Sequence, residues 1–315
     1  MATPFGAEST TDDVLAGVDL TGKRILVTGA SAGLGVETIR ALMAHNATVV
    51  GAARDLDKAR RATSAALEGA PKRGSLEFVE LDLASLASCR KAADALVAAG
   101  KPFDVVIANA GVMACPFGKT SDGFETQFGT NHLGHFVFVN RIAPLVKSGG
   151  RIVNLSSAGH RFADVDLDDP NFERGQYHPF VAYGRSKTAN ILFSVGLDRR
   201  LGKRGVRAAA VHPGGIQTEL GRHLTPELIA QLMPAGPSTF KFKSIPQGAA
   251  TQVWTAVVAP AADVGGKYCE DCHVAELQND PNVRQGVRAY ALDPARADAL
   301  WAKSEQMVGE RFSYA

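Results

Sequence analysis

Residues 24–45, "RILVTGASAGLGVETIRALMAH", carry the clearest indication of the fold. The apolar run at 24–29 predicts a buried strand, and apolar residues at helical spacing over 36–45 predict a helix with one apolar face. Between them, Gly29, Gly33 and Gly35 make a G-x-x-x-G-x-G turn. Glycines permit a tight turn and a close approach of the backbone to another molecule. The stretch therefore predicts a strand, a glycine turn and a helix in succession.

The same alternation of short apolar strands and longer amphipathic helices continues along the chain. Further strands are predicted at 47–54, 76–82, 103–111, 151–157 and 206–214, and further helices at 56–67 and 86–97. Such alternation is typical of a parallel sheet covered on both faces. We predict a Rossmann-type, doubly wound α/β sheet in three αβα layers. It forms a single domain over 20–315, after an N-terminal extension of 1–19.

Composition narrows the classes of function. The chain has 315 residues, of which 45% are hydrophobic and 21% charged, with a net charge of +2. A packed core is expected, and bulk charge gives no reason to expect a nucleic-acid partner. No uncharged apolar run reaches the roughly 18 residues of a membrane helix, and the N-terminus does not resemble a secretion signal. We expect a cytoplasmic protein without membrane insertion, and a homo-oligomer is compatible with the sequence.

The glycine turn predicts a dinucleotide site. Free N–H groups and the positive end of the following helix would face a pyrophosphate there. An acid at the end of the second strand would bind a ribose hydroxyl, but Ala53 stands at that position and Arg54 follows. A guanidinium suits a 2′-phosphate, so NADP(H) is the predicted cofactor. Asp55 would favour NAD if it turned inward, whereas a role as helix cap leaves the prediction unchanged.

A second motif carries the chemistry. "YGRSK" places Tyr183 and Lys187 four residues apart, on one face of a helix. An adjacent ammonium favours the phenolate, so the tyrosine could act as acid or base near neutral pH. Ser157 ends the fifth strand, where a hydroxyl could hold a substrate oxygen. Asn131 opens "NHLGHF".

These motifs, in order, resemble those of the short-chain dehydrogenases/reductases. They are "TGASAGLG", "LDL", "NAG", "NHLGHF", "IVNLSS", "YGRSK" and "HPG", and the resemblance covers residues 20–275. "TNHLGHF", "SKTANILF" and "GGKYCEDC" are similar to the retinol-dehydrogenase-like branch. The resemblance implies a catalytic tetrad of Asn131, Ser157, Tyr183 and Lys187. Because the gap from Ser157 to Tyr183 is long, Ser156 stays open as an alternative to Ser157.

The resemblance also implies roles for individual residues. Tyr183 would be the acid/base, Lys187 would bind the nicotinamide ribose, and Asn131 would hold a water linked to that lysine. Asp82 would bond the adenine amino group, and Thr218 the cofactor amide. The full set of expected cofactor-binding residues is Gly29, Ser31, Gly33, Leu34, Gly35, Arg54, Asp82, Leu83, Asn109, Ala110, Gly111, Tyr183, Lys187, Pro213, Gly214, Ile216 and Thr218.

"KYCEDCH" (267–273) has the C-x-x-C-H spacing of c-type haem attachment. Such haem is attached after export, and no export signal is predicted. A zinc site would need a fourth ligand in addition to Cys269, Cys272 and His273, and none stands at a suitable spacing. We therefore expect buried, inert thiols and no metal.

Residues 215–246 combine Gly/Pro-rich ends with a short amphipathic helix, which predicts a substrate lid or else a plain surface loop. Apolar candidates for the pocket wall are Phe162, Phe180, Leu220, Leu224, Leu228, Leu232, Met233 and Phe240. The predicted function is NADP(H)-dependent interconversion of an alcohol and a ketone or aldehyde, on an apolar small molecule. The alternatives are an NADPH-binding redox sensor without turnover, and a C=C reductase of the protochlorophyllide-reductase type.

Overall fold

A computed structural model describes residues 5–68, 74–232 and 241–314, which form one eight-stranded sheet. Its order is β3-β2-β1-β4-β5-β6-β7-β8, with all neighbours parallel except β7 and β8. The strands are β1 Arg24–Thr28, β2 Thr48–Ala53, β3 Ser75–Glu80, β4 Phe103–Ala108, β5 Val146–Leu155, β6 Arg207–His212, β7 Tyr268–Glu270 and β8 His273–Val274. The predicted doubly wound sheet is confirmed.

Helices cover both faces of the sheet, as the three-layer prediction requires. They are α1 Thr11–Leu15, α2 Gly33–Ala44, α3 Leu56–Ala66, α4 Leu86–Ala99, α5 Thr126–Phe128, α6 Gly134–Ile142, α7 Pro179–Leu201, α8 Pro226–Leu232, α9 Ile245–Val253, α10 Ala261–Val264 and α11 Pro294–Val308. One core packs α4, α6, α7 and α11 against the sheet, and the other packs α1, α2 and α9. Along the described stretches, no helix is long and apolar enough to cross a bilayer.

The N-terminal segment packs onto the second of these cores. Thr10 caps α1 in a reciprocal capping box, and Val14 and Leu15 are buried beneath it. The hydroxyl of Thr11 donates to Glu37 on α2. Residues 11–15 are thereby joined to the sheet-covering helices through both apolar and polar contacts.

The chain reverses its winding at β1, whose neighbours are β2 on one side and β4 on the other. At such a switch point, a crevice opens at the carboxyl ends of the strands. The residues that end β1, β4, β5 and β6 are Thr28, Ala108, Leu155 and His212. Each is followed by one of the motifs singled out in the sequence, so the topology gathers those motifs at one edge.

Candidate active site

The glycine turn has the backbone that a bound dinucleotide requires. Gly29 and Gly33 have φ of +79° and +56°, which favour glycine. A Cβ at Gly35 would lie 2.2 Å from the carbonyl oxygen of Gly29, so α2 approaches β1 too closely for any side chain. The N-cap of α2, Ala32, makes no side-chain cap bond in the described chain. The first-turn N–H groups therefore suit an anion, and the turn fits the pyrophosphate of a dinucleotide.

The "NAG" turn after β4 is tied to the end of β1. The side-chain amide of Asn109 donates to the Thr28 carbonyl at 2.8 Å, and the N–H of Ala110 donates to the Thr28 hydroxyl at 3.0 Å. A Cβ on Gly29 would lie 2.8 Å from that Asn109 amide. The side chain of Asn109 thus stabilises the turn, which leaves its backbone to face a cofactor.

The end of β2 lacks an inward-facing acid. Ala53 is 4% exposed, and Arg54 is exposed beside it. Asp55 caps α3, and its carboxylate accepts the N–H of Lys58 at 2.8 Å. Of the two readings that the sequence left open for Asp55, the structure supports the helix cap.

The segment after β6 lies against the glycine turn. Gly214 has a φ of +96°, and the Thr218 side chain lies 3.5 Å from where a Cβ on Gly33 would be. The side chains of Leu34 and Ile216 both pack against Gly248, since each has an atom within 3 Å of where a Cβ on that glycine would be. These predicted cofactor residues therefore lie close together in the fold, although they are distant in sequence.

Ser157, and not Ser156, adjoins the tyrosine. The Ser157 hydroxyl and the Tyr183 ring border the same space beside Gly159, where a Cβ would lie 3.4 Å from Oγ of Ser157, whereas the Ser156 hydroxyl donates to the Lys187 carbonyl at 2.8 Å. Burial raises the pKa of Tyr183 to about 12, and the neighbouring Ser157 hydroxyl opposes that rise. Gly159 packs on the phenol ring, because a Cβ there would lie 2.7 Å from Cε1. Sequence analysis did not single out Gly159, although "SSAGH" contains it.

Lys187 lies one helical turn beyond Tyr183 on α7 and is 4% exposed. Its Nζ donates to the Leu155 carbonyl at 3.1 Å and lies 5.6 Å from the centre of the Tyr183 ring. Burial lowers the pKa of Lys187 to about 8. We expected this ammonium to lower the pKa of Tyr183. Among the described side chains, Ser157 is the group that lowers it instead.

Asn131 lies in a π-helical turn, Gly129–Leu133, between α5 and α6. Its amide nitrogen donates to the Val112 carbonyl and to the Ser186 hydroxyl, both at 2.9 Å. Its amide oxygen accepts the N–H of Val112 at 2.8 Å. The Asn131 side chain is therefore committed to joining two elements. Its backbone carbonyl oxygen lies 3.0 Å from Nδ1 of His135.

The C-x-x-C-H segment lies on β7 and the turn into β8. Cys269 and Cys272 are 0% and 1% exposed, and His273 is exposed. Burial raises the pKa of these thiols to about 12 and about 11, so both stay protonated and unreactive at neutral pH. Within the described ranges, no three His, Cys, Asp or Glu residues are grouped to hold a metal.

The expected pocket wall is partly described. Phe180 is buried, Phe162 is 48% exposed, and their ring centres lie 5.7 Å apart. Leu220, Leu224 and Leu228 are half-buried. The predicted amphipathic helix of the lid is α8. Met233 and Phe240 lie outside the described residues.

Comparisons with known proteins agree with this arrangement. Residues 23–167 match the family described as short chain dehydrogenase. The chain is 37% identical to short-chain dehydrogenase/reductase prx1 of Penicillium roqueforti, over 97% of this chain and 92% of that protein. It is 39% identical to retinol dehydrogenase 14 of Homo sapiens, over 91% of this chain and 87% of that protein.

Solved structures with the same fold include an uncharacterized protein from Mycobacterium paratuberculosis. It has a TM-score of 0.75 and 32% identity, and the match covers 98% of this chain and 100% of that one. A short chain dehydrogenase from Burkholderia cenocepacia, in complex with NADP, has a TM-score of 0.61 and 25% identity. That match covers 81% of this chain and 98% of the other.

The sheet, the glycine turn and these likenesses define a nucleotide-binding oxidoreductase. The chain belongs to the short-chain dehydrogenase/reductase family, within its retinol-dehydrogenase-like branch.

Proposed function

We propose that this protein is an NADP(H)-dependent oxidoreductase that interconverts an alcohol and a ketone or aldehyde on an apolar small molecule. The observation that carries the proposal is that the Ser157 hydroxyl and the buried Tyr183 ring lie together beside Gly159, with Nζ of Lys187 5.6 Å from the centre of that ring. A hydroxyl and a phenol side by side can both donate to one carbonyl oxygen.

In this mechanism, Ser157 holds the substrate oxygen and stabilises the charge that develops on it. Tyr183 gives its phenolic proton to that oxygen in the reduction, and takes a proton from the alcohol in the oxidation. The nicotinamide, when bound, donates or accepts the hydride. Lys187 binds the ribose and adds positive charge beside the phenol. Asn131 keeps the π-helical turn in place and offers its carbonyl to a water.

The preference for NADP(H) rests on the end of β2. Ala53 is buried and carries no acid, Arg54 is exposed, and the carboxylate of Asp55 is bound at the start of α3. A 2′-phosphate would meet a guanidinium there and no carboxylate. The NADP complex of the Burkholderia cenocepacia relative is consistent with this preference.

An apolar substrate is proposed from the surroundings of the tetrad. The rings of Phe162 and Phe180 stand beside each other, and Phe162 keeps nearly half of its surface exposed. Half-buried leucines follow in the segment after β6.

All four cysteines are unpaired and buried, which supports a reducing compartment such as the cytoplasm.

The two alternatives receive less support. A redox sensor without turnover has no need for all four tetrad residues, which this chain retains. In the proposed mechanism Ser157 holds a carbonyl oxygen, a role that a C=C reduction does not need.

The test is a panel of ketones, aldehydes and alcohols, followed at the NADPH absorbance. We expect turnover on apolar aryl, terpenoid or steroid carbonyls, with NADPH preferred to NADH. NADPH that binds tightly but is consumed with no member of the panel would favour the sensor. Turnover confined to conjugated C=C bonds would favour the other alternative.

A further inference from the structure

We propose that His160 is a positioning residue, whose neutral imidazole aligns Ser157 with Tyr183 and couples that alignment to the C-terminal segment 287–292. The inference rests on the proposed function, because it assigns Ser157 a part in turnover. His160 follows Ser157 by three residues and is 0% exposed, in the 3₁₀ turn Ala158–Phe162.

The two ring nitrogens of His160 have different partners, which together define its tautomer. Nδ1 lies 2.8 Å from the carbonyl oxygen of Ser157, which can only accept, so Nδ1 carries the proton. Nε2 lies 3.2 Å from the backbone nitrogen of Arg288, which can only donate, so Nε2 is unprotonated. Burial and the charges of Arg161 and Arg288 lower the pKa of His160 to about 4, so the ring is neutral at physiological pH.

The carbonyl oxygen of Ser157 accepts two hydrogen bonds. Besides the ring, it accepts the backbone N–H of His160 at 3.1 Å. The Ser157 hydroxyl accepts the N–H of Gly159 at 3.0 Å, and Gly159 packs on the phenol of Tyr183. The orientation of the His160 ring therefore sets the orientation of the peptide bond that follows Ser157. That peptide bond in turn sets how closely the serine hydroxyl approaches the phenol of Tyr183.

Three elements hold His160 itself. Its carbonyl accepts the hydroxyl of Tyr290 at 2.7 Å. The hydroxyl of Thr188, on α7, is shared between this carbonyl, at 3.1 Å, and the Ala163 carbonyl, at 2.8 Å. The ring centre of His160 lies 5.0 Å from that of Tyr268 on β7. Thr188 directly follows Lys187, so α7, strand β7 and the C-terminal segment all meet at this histidine.

The experiment compares His160→Leu with His160→Asn, because an asparagine amide can donate from near the position of Nδ1 and leucine cannot. We expect the leucine variant to lose roughly ten- to hundred-fold in kcat. Its Kd for NADPH should stay within about two-fold of wild type, since the cofactor groove is untouched. The tyrosine pKa in its pH–rate profile should rise, because the neighbouring Ser157 hydroxyl lowers that pKa. The His160→Asn variant should restore much of kcat and should return the tyrosine pKa towards its wild-type value.

The matched control is His45→Leu. His45 makes the same kind of bond, Nδ1 to the Val18 carbonyl at 2.8 Å, at the far end of α2 from the glycine turn. The His45→Leu variant should be less stable than wild type but should keep the wild-type kcat and pH–rate profile. If His160→Leu behaves like this control, with kcat and profile unchanged, the positioning role is wrong. If His160→Leu does not fold, His160→Gln takes its place, because its longer side chain carries the amide away from the position of Nδ1. Unimpaired kcat together with an unchanged pH profile in that variant would overturn the role.

A second measurement needs no turnover. Imidazole ¹⁵N spectra of the wild type at pH 7, with His160→Asn to identify the signals, report which nitrogen is protonated. We expect a proton on Nδ1 alone. A proton on Nε2, or on both nitrogens, would overturn the proposal whatever the activity. If the wild type turned over no substrate but gave this spectrum, the proposed function would fail while the geometry of His160 stood.

Discussion

Lys58 and Glu219 form an ion pair, with Nζ 2.6 Å from Oε2, that joins α3 to the segment after β6. Their side chains are 43% and 61% exposed. Such exposed pairs contribute at most about 1 kcal/mol, so this contact is easily broken. At the other end of the segment, the N–H of Lys243 donates to the Gly215 carbonyl at 2.9 Å. In the described part of the segment, one backbone bond thus joins its two ends, and an exposed ion pair connects Glu219 to α3.

We expect NADPH binding to slow hydrogen exchange across residues 216–232. Thr218 and Ile216 lie against the glycine turn, so a bound cofactor would add contacts to the segment's first residues. Exchange in α11 (Pro294–Val308), on the opposite face, serves as the internal control and should not change. Equal exchange over 216–232 with and without NADPH would make this segment a static surface loop.

NADPH should bind about ten-fold more tightly than NADH, a difference of about 1.4 kcal/mol. A variant with Ala53→Asp and Arg54→Ala should reverse the preference, since it supplies the acid and removes the guanidinium. Titration of both cofactors against both proteins measures this. Asp55→Asn tests the capping role separately. It should weaken α3 without changing the cofactor ratio, and a changed ratio would place Asp55 in the groove.

Tyr183→Phe should keep cofactor binding and lose roughly 10²–10⁴-fold in kcat, because only the proton-transfer group is removed. The ring still fills the space beside Gly159, so the fold should be retained. Single-turnover and steady-state rates with the best substrate of the panel measure the effect. Tyr177→Phe, which removes a phenol bonded to the Cys115 carbonyl, is the matched control. Turnover of Tyr183→Phe within a few-fold of wild type would contradict the mechanism.

Lys187→Met should stabilise the cofactor-free protein while abolishing turnover. Burial lowers the pKa of Lys187 from 10.5 in the unfolded protein to about 8 in the folded protein. Below pH 8, Lys187 is therefore protonated in both the folded and the unfolded protein, and the folded protein carries the full cost of the buried charge. The unfolded state binds more protons between pH 8 and 10.5, so wild-type stability rises across that window.

The gain from this substitution should be about 3 kcal/mol below pH 8 and should shrink towards zero above pH 10.5. Chemical denaturation of wild type and variant at several pH values measures it. Exposed Lys203→Met, near the end of α7, should give no pH-dependent difference. A gain that is the same at pH 7 and pH 10.5 would show that the ammonium is not desolvated.

The elements that sequence patterns predicted best are those with long, regular periodicity. The strand–turn–helix unit around Gly29 and Gly35 was predicted because apolar spacing and glycine positions agreed. The five-residue α1 and the short strands β7 and β8 were not predicted, since they have too few residues for a period to appear. They form because core partners from distant parts of the chain cover them, as Leu15 and Cys269 are covered.

By itself, the sequence determined the order of the elements, the glycine turn, the absence of an acid at Ala53 and the identity of the expected tetrad, because these depend on local composition and spacing. Tertiary structure decided what depends on contacts between distant residues. It paired Ser157 rather than Ser156 with Tyr183, turned Asp55 onto α3, and bound the Asn131 amide to Ser186. It also enclosed His160 between three elements. Burial, which no local pattern encodes, sets the pKa values of Tyr183 and Lys187.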